Sequence, residues 1–468
     1  MEKNKINLPY ILAISIASAF GGLLFGYDWV VIGGAKPFYE PFFQITNSPY
    51  LQGWAMGSAL IGCLAGAWLS GMLSDAYGRK KLLLLAAALF VVASIGTGAA
   101  NNFTFFILYR ILGGIGIGLA SNLSPMYIAE VSPSKVRGKF VSLNQLTIVI
   151  GILAAQLINW QIAQPVPATA TTADILASWN GQEGWRWMFW VCSVPAILFF
   201  VFVLFIPESP RWLVAKGRSD KAFSIMKRIT GEKVAQTELA EIKKTINTDK
   251  SGISFLSLFK NGTGRIMILG LVLAIFQQWC GINVIFNYAQ EVFSSAGYSV
   301  NDILFNIVIT GSVNLIFTFV AIFTVDKLGR KFLMLLGAGG LAGIYAVMGT
   351  LYYFHFQGWP LLVLVILAIA CYSMSLAPVT WVVLSEIFPN KIRGAAMSVA
   401  TIGLWAACFI LTYTFPLLNN AFGASGTFWL YGIICISGFV FIFKKLPETK
   451  GKSLEEIEHQ LLNKIPKG

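Results

Sequence analysis

Asp75-Ala76-Tyr77-Gly78-Arg79-Lys80 follows one apolar segment, and Asp326-Lys327-Leu328-Gly329-Arg330-Lys331 follows another, 251 positions later. A second stretch repeats at a similar offset. Glu130-Val-Ser-Pro-Ser-Lys-Val-Arg137-Gly138 returns as Glu386-Ile-Phe-Pro-Asn-Lys-Ile-Arg393-Gly394, 256 positions on. Two copies of one membrane half predict a site between them, as in machines that rock one bundle against the other around a ligand near the bilayer midplane.

The rest of the chain has the composition such halves need: 56% hydrophobic and 12% charged residues, with a mean hydropathy of +0.70. Apolar runs of about 20 residues, enough to cross roughly 30 Å of hydrocarbon, recur throughout. Twelve are predicted, near 10–33, 52–74, 81–100, 104–128, 140–160, 184–206, 264–293, 302–325, 332–354, 360–385, 394–418 and 426–446. The expected fold class is an all-α membrane protein with twelve transmembrane helices in two six-helix halves. Its parts are an N-terminal bundle over 1–206, a cytoplasmic helical connector over 207–263, a C-terminal bundle over 264–446 and a cytoplasmic tail over 447–468.

A net charge of +13 would point to nucleic acid in a soluble protein, but here its placement follows membrane topology. With both termini cytoplasmic, 31 of the 34 Lys and Arg residues fall on the cytoplasmic side. The exceptions are Lys36 and Arg186, expected on the outer side, and Arg110 inside the fourth span. The first apolar run lacks a small-residue cleavage site and continues into Asp28, so it is expected to be a retained helix rather than a signal peptide. A multi-pass protein of the plasma membrane follows, with lipid as its surroundings and no nucleic-acid partner.

Several chemistries find no support. The six cysteines (Cys63, Cys192, Cys280, Cys371, Cys408, Cys435) lie singly inside predicted spans, so neither disulfides nor a metal site is expected. Gly113-Gly114-Ile-Gly116-Ile-Gly118 lacks the preceding strand of a phosphate loop; Gly114 and Gly118 are better read as helix packing, as are Gly62 with Gly66 and Gly339 with Gly343. The connector carries amphipathic patterns at Ala222, Phe223, Ile225, Met226, Ile229 and at Leu239, Ile242, Ile246, and is too short and glycine-poor to bind nucleotide. A short surface helix is expected around Glu455, Glu456, Ile457, Glu458 and Leu461. With two histidines, His355 and His459, no nucleophile and base can be arranged, so an enzyme and a cofactor are both unexpected.

Polar residues inside the apolar spans carry the functional signal. Asp28 and Arg110 would each cost at least about 2.5–3.5 kcal/mol facing lipid at mid-depth, so they are expected to face one another. A carboxylate pulled one way by burial and the other by an arginine suits proton coupling; the alternative is a static pair locking two helices. Gln277-Gln278-Trp279-Cys280-Gly281-Ile282-Asn283, followed by Asn287 and Tyr288, suggests a seventh span broken at the binding level. Carboxamides donate and accept as sugar hydroxyls do, and Gln145 and Asn314 extend the set, while Trp381 and Trp405 offer apolar walls.

The chain resembles the sugar porters of the major facilitator superfamily, most closely bacterial D-xylose–proton symporters and facilitative glucose transporters, from about Ile11 to Lys452. The matching motifs are Gly26-Tyr27-Asp28, Asp75 to Arg79, Tyr109-Arg110, Glu130 to Gly138, Asn144-Gln145, Pro207-Glu208-Ser209-Pro210-Arg211-Trp212, Gln277-Gln278 to Asn283, Asp326 to Arg330, Glu386 to Gly394 and Pro447-Glu448-Thr449-Lys450-Gly451. The resemblance implies that Gln145, Gln277, Gln278, Asn283, Asn314 and Trp381 bind sugar hydroxyls and that Asp28 with Arg110 couples proton movement. Facilitators of the family place asparagine at the position of Asp28, which favours symport. Asp75, Arg79, Glu130, Arg137, Glu208 and Arg211, with Asp326, Arg330, Glu386 and Arg393, would form charged networks on the cytoplasmic side that latch the outward-open state.

The chain departs from the family pattern at Ala377 before Pro378, at Asn287 beside Tyr288, at Leu404 and Cys408 around Trp405, and at Cys192, where xylose symporters carry a second carboxylate. Weaker pairing of sugar hydroxyls or a different preferred sugar follows from the lost amides. The expected function is proton-coupled import of a monosaccharide, D-xylose or a related pentose or hexose, by a monomer working through alternating access. A passive uniporter of the same fold and a non-transporting sugar sensor are the alternatives, and the short stretches flanking the first and last spans disfavour the sensor.

Overall fold

A computed structural model describes residues 6–133, 136–167, 170–248, 263–389, 392–452, 456–457 and 460–461. No strand occurs among them. Among the described residues eleven helices are long and apolar enough to cross a membrane, and the last, Ala395–Lys445, contains two spans. Gly423, with φ 65° and ψ 178°, breaks it in the middle, which brings the spans to the expected twelve.

The described residues form two compact units. Unit 1 comprises 1–28, 62–152 and 189–252; unit 2 comprises 29–61, 153–188 and 253–468. Helices α1 (Leu8–Phe42), α2 (Pro49–Tyr77) and α5 (Arg137–Ile162) contribute to both. Unit 1 adds α3 (Arg79–Ala99) and α4 (Phe103–Val131). Short helices α6 (Thr172–Ala177) and α7 (Trp185–Val191) lead into α8 (Ser193–Phe205), and α9 (Pro210–Ala215), α10 (Ser219–Thr230) and α11 (Glu232–Thr248) form the connector.

In unit 1 the glycine pairs read from the sequence let α2 and α4 touch backbone to backbone. A Cβ on Gly62 would fall 2.8 Å from the Cα of Gly114, and one on Gly66 3.0 Å from the Cα of Gly118. Without side chains between them the helices gain dispersion contacts that larger residues would prevent. The same expectation fails in part for the second pair, because Gly339 meets only the Phe439 ring at 3.3 Å and Gly343 meets nothing within 4 Å. The connector buries Leu213, Val214 and Ala222 against Trp212, Ile225, Leu239 and Ile242. Ile246 has no described side chain, and Glu455 and Glu458 of the expected tail helix lie outside the described residues.

In unit 2, α12 (Thr263–Trp279), α13 (Ile282–Asn287) and α14 (Ala289–Ser295) are three pieces of one interrupted path. They are followed by α15 (Val300–Leu328), α16 (Arg330–Tyr353), α17 (Trp359–Met374), α18 (Leu376–Ile387) and α19 (Arg393–Lys445). The latter part of α1, the first part of α2 and the end of α5 belong to the same body. Trp54 of α2 stacks against Phe409 and Tyr413, and Trp160 of α5 lies 5.7 Å from the Phe305 ring.

The repeated Asp-x-x-Gly-Arg-Lys motif builds the same corner twice. Gly78 and Gly329 both take φ 93°, a value costly for any residue with a Cβ. Each starts a helix whose first amide is capped from far along the chain: Arg79 N donates to Glu208 Oε1 at 3.0 Å, and Arg330 N to Glu448 Oε1 at 3.0 Å. A carboxylate at a helix N-terminus satisfies orphan donors and complements the helix dipole.

Candidate functional site

Asp28, 8% exposed on α1, receives a hydrogen bond from Arg110 of α4 at 2.7 Å. Arg110 is 3% exposed and its guanidinium lies 5.8 Å from the Phe189 ring centre. The expected encounter of the two charges is therefore made inside unit 1. One carboxylate oxygen, Asp28 Oδ2, is enclosed without a hydrogen-bond partner among the described residues, as is Arg110 Nε. An ion pair with one unsatisfied oxygen is poorly compensated for its desolvation. Cys192 is buried too.

The polar cluster of unit 2 is organised by a break in the helix. Gly281 takes φ 84°, ending α12 and restarting as α13, while the Tyr431 side chain packs over it. Three carboxamides then bond in series. Asn283 Nδ2 donates to Gln278 Oε1, and Gln278 Nε2 donates to Gln277 Oε1 at 2.7 Å. Asn283 Nδ2 also contacts Cys408 Sγ at 3.6 Å. Gln277, Gln278 and Asn283 are all buried, so each amide is orientated by its neighbour rather than by water.

Asn314 of α15 is held by Ser373 of α17, whose hydroxyl donates to Asn314 Oδ1 at 2.6 Å. Trp381 is half-buried on α18, and Trp405 lies 6.0 Å from the Trp29 ring. Gln145 is half-buried on α5 in unit 1. Asn287 Oδ1 is enclosed without a partner among the described residues.

The charged loop residues divide. Arg79 bonds Asp75 Oδ1 at 3.1 Å and Glu130 Oε1 at 3.0 Å, and Trp212 Nε1 donates to the Asp75 carbonyl at 3.0 Å. Arg330 bonds Glu386 Oε1 through both Nε and Nη2, at 3.2 and 3.0 Å. Arg393 turns instead to the Phe388 carbonyl at 3.2 Å, Arg211 is exposed and outside these hydrogen bonds, and Asp326 has no described side chain. Arg137 faces Glu238 of the connector, whose carboxyl is raised by burial and by Glu241 and lowered by Arg137. Glu448 was quoted only as part of a motif, yet it repeats the three amide bonds of Glu208 and adds a fourth from Lys450 N, where the first half has Pro210. Burial works against its ionisation, but the amides of Lys450, Arg330, Lys331 and Thr449 hold its carboxyl below the usual range. Its signal was available, because Pro207-Glu208-Ser209 and Pro447-Glu448-Thr449 each follow the last span of a half.

Sequence reasoning missed Lys36, Glu40 and Glu291. The first span is expected over 10–33, with Lys36 beyond it on the outer side. Instead α1 runs to Phe42, with Lys36 2% and Glu40 6% exposed. Arg186, likewise expected on the outer side, is 8% exposed. The spacing of Lys36 and Glu40 at i and i+4 was the available sign of a helix.

Known proteins supply the remaining context. The family model described as Sugar (and other) transporter matches residues 14–461. The arabinose-proton symporter of Bacillus subtilis is 39% identical over 453 residues, covering 97% of this chain and 95% of the relative. The D-xylose-proton symporter of Escherichia coli K12 is 39% identical over 485 residues, covering 97% and 96%. Among solved structures, the inward-open xylose transporter XylE from E. coli superposes with a TM-score of 0.83 at 37% identity, covering 96% of this chain and 100% of that one. XylE bound to 6-bromo-6-deoxy-D-glucose gives 0.79 at 39% identity, covering 97% and 100%. With its twelve apolar spans, its repeated Gly-Arg corners and this likeness over nearly its whole length, the chain is a multi-pass membrane transporter that belongs to the sugar transporter family and has the major facilitator fold.

Proposed function

We propose that this protein imports a monosaccharide together with a proton by alternating access. The observation that carries the reading is the 2.7 Å pair of Arg110 and Asp28, two charges enclosed in membrane-spanning helices with one carboxylate oxygen unbonded. Protonation of Asp28 loosens its hold on Arg110, letting α1 and α4 change their packing; deprotonation restores it. Relatives named as symporters of arabinose and D-xylose with protons support this assignment over a passive uniporter.

The sugar ligands are assigned to Gln277, Gln278, Asn283, Asn314 and Trp381, with Gln145 added from the motif it matches. The serial amides present fixed donors and acceptors to hydroxyls, and Trp381 offers an apolar face to the ring. The functional division is assigned as two six-span halves, 1–206 and 264–446, with the connector and tail on the cytoplasmic side. The weight of Lys and Arg in those segments supports that orientation. The Arg79 and Arg330 networks are assigned as cytoplasmic latches, and the working unit as a monomer in the plasma membrane.

The test is uptake into proteoliposomes of a panel of pentoses and hexoses, with and without an imposed pH gradient. One proton moving down 100 mV supplies about 2.3 kcal/mol, which sustains on the order of fifty-fold accumulation. Uphill uptake that needs the gradient, with alkalinisation of the external medium, is the expected result. Equal, purely downhill uptake in both conditions would show a uniporter.

A further inference from the structure

Unit 2 contains a second charge cluster, in which Lys36 and Glu40 are buried and Glu291 is half-buried. Lys36 of α1 reaches Glu40 Oε1 at 3.2 Å, one turn on, and contacts Glu291 of α14. Its ammonium lies 5.1 Å from the Tyr288 ring centre. Gln52 of α2 donates to Glu40 Oε2 at 3.3 Å. Arg186 of α7 is also buried, but its guanidinium stacks on Trp185 and Phe42, at 4.5 and 4.8 Å. Glu40 Oε1 has the Lys36 ammonium as its partner, whereas Glu291 Oε2 is enclosed and accepts no hydrogen bond from the described residues, and neither do Asn287 Oδ1 and Gln290 Oε1.

The charges do not balance. Two carboxylates surround one ammonium, leaving one negative charge in excess; Gln52 donates to Glu40, while Glu291 Oε2 has no such donor among the described residues. An uncompensated charge in such a place is costly, and a proton on one carboxylate oxygen removes it while supplying a donor for an unbonded acceptor. The same cluster ties α1 to α14. In a carrier that alternates, such a tie between the first and seventh spans has to break, exposing the acids to solution, where all three groups are stable in their charged forms.

We propose that Lys36, Glu40 and Glu291 form a second proton-binding site, separate from Asp28 and Arg110. It takes one proton from the external solution when α14 closes on α1 and returns it when they part. The proton resides on a carboxylate oxygen and is not delivered inside, so the site makes closure of that end pH-dependent without changing the number of protons transported. This rests on the alternating-access reading and on the assigned orientation.

Linkage fixes the numbers. If closure binds one proton, the closed-to-open ratio rises tenfold for each unit by which pH falls through the titration range. With Glu291→Gln or Glu40→Gln the cluster is neutral without a proton, and the ratio becomes flat. With Lys36→Met two carboxylates face each other with no cation, closure binds two protons, and the ratio changes a hundredfold per unit.

The measurement is the distance distribution between spin labels at Asn47→Cys and Gln357→Cys, both exposed loop positions, in full-length protein with Cys371→Ser, reconstituted in lipid and titrated from about pH 8 to pH 5. Expected are the one-proton slope in the wild type, its loss in both Glu→Gln variants, its doubling in Lys36→Met and its retention in Asp28→Asn. A wild type with no slope, or a slope kept in both Glu→Gln variants, overturns the proposal. Loss in Asp28→Asn alone assigns the proton to Asp28 and also overturns it. The expected slopes in a protein that fails the pH-gradient uptake test leave this site standing and remove only the symport.

Discussion

Arg110 holds Asp28 by one oxygen only, at 2.7 Å, and leaves the other enclosed and unbonded. The two residues are 82 positions apart and each lies in a different span, so their pairing is a property of packed helices.

Replacing Asp28 with asparagine removes the proposed proton-binding group but keeps an acceptor for Arg110. Gradient-driven accumulation is expected to fall from on the order of fifty-fold at 100 mV to equilibration, while exchange of labelled for unlabelled sugar continues. Counterflow and uphill uptake on the same vesicles check this. Asp28→Leu strands the guanidinium and is expected to destabilise the fold by about 3–5 kcal/mol, read as a lower melting temperature.

Breaking the amide series at either Gln278→Ala or Asn283→Ala deprives sugar hydroxyls of orientated partners. A loss of about 1–2 kcal/mol per hydrogen bond corresponds to a KM raised roughly 5- to 30-fold. The melting temperature should move little by comparison. An unchanged KM in both variants would remove these residues from the assigned site.

Gly281→Ala forces a side chain into φ 84° and against Tyr431, whose Cγ would lie 2.8 Å from the new Cβ. The backbone alone costs about 1–2 kcal/mol, and the clash adds to it. The expected outcome is a lower melting temperature together with sugar affinity weakened more than it is by Gly343→Ala, which meets nothing within 4 Å.

Glu448 is a pH-sensitive cap. Its carboxyl sits below the usual range in the folded chain because four backbone amides favour the ionised form over the opposing effect of burial. A depressed folded value means that its contribution is present above the unfolded pKa of about 4.3 and lost as pH falls through the folded one. Glu448→Gln should therefore melt below the wild type at pH 7, and the gap should close below about pH 4. A gap independent of pH would show that the cap does not act through charge.

Much of this was legible beforehand because membranes constrain sequence harshly. Span number, the duplicated Gly-Arg corners and the short list of polar residues inside apolar runs follow from what lipid and backbone geometry tolerate. The break at Gly281 also showed, since a glycine among three carboxamides is poor lipid-facing material. Other features were hidden. Lys36 was read only as a charge beyond the first span, because a chain read in one dimension cannot display Glu291 arriving from the seventh span. Arg393 was grouped with the second network by symmetry, yet it bonds the Phe388 carbonyl.

The amino acids by themselves determined how often the chain crosses the bilayer, that it does so as two related halves, and which few side chains are too polar to face lipid. Tertiary packing alone decided which of those side chains meet. Partner choice depends on the rotation and depth of each helix, and these are set by contacts summed along entire spans. So Arg110 found Asp28, Lys36 was drawn inside between two acids, and Gly343 was left facing open space while Gly62 and Gly66 were pressed against a neighbour.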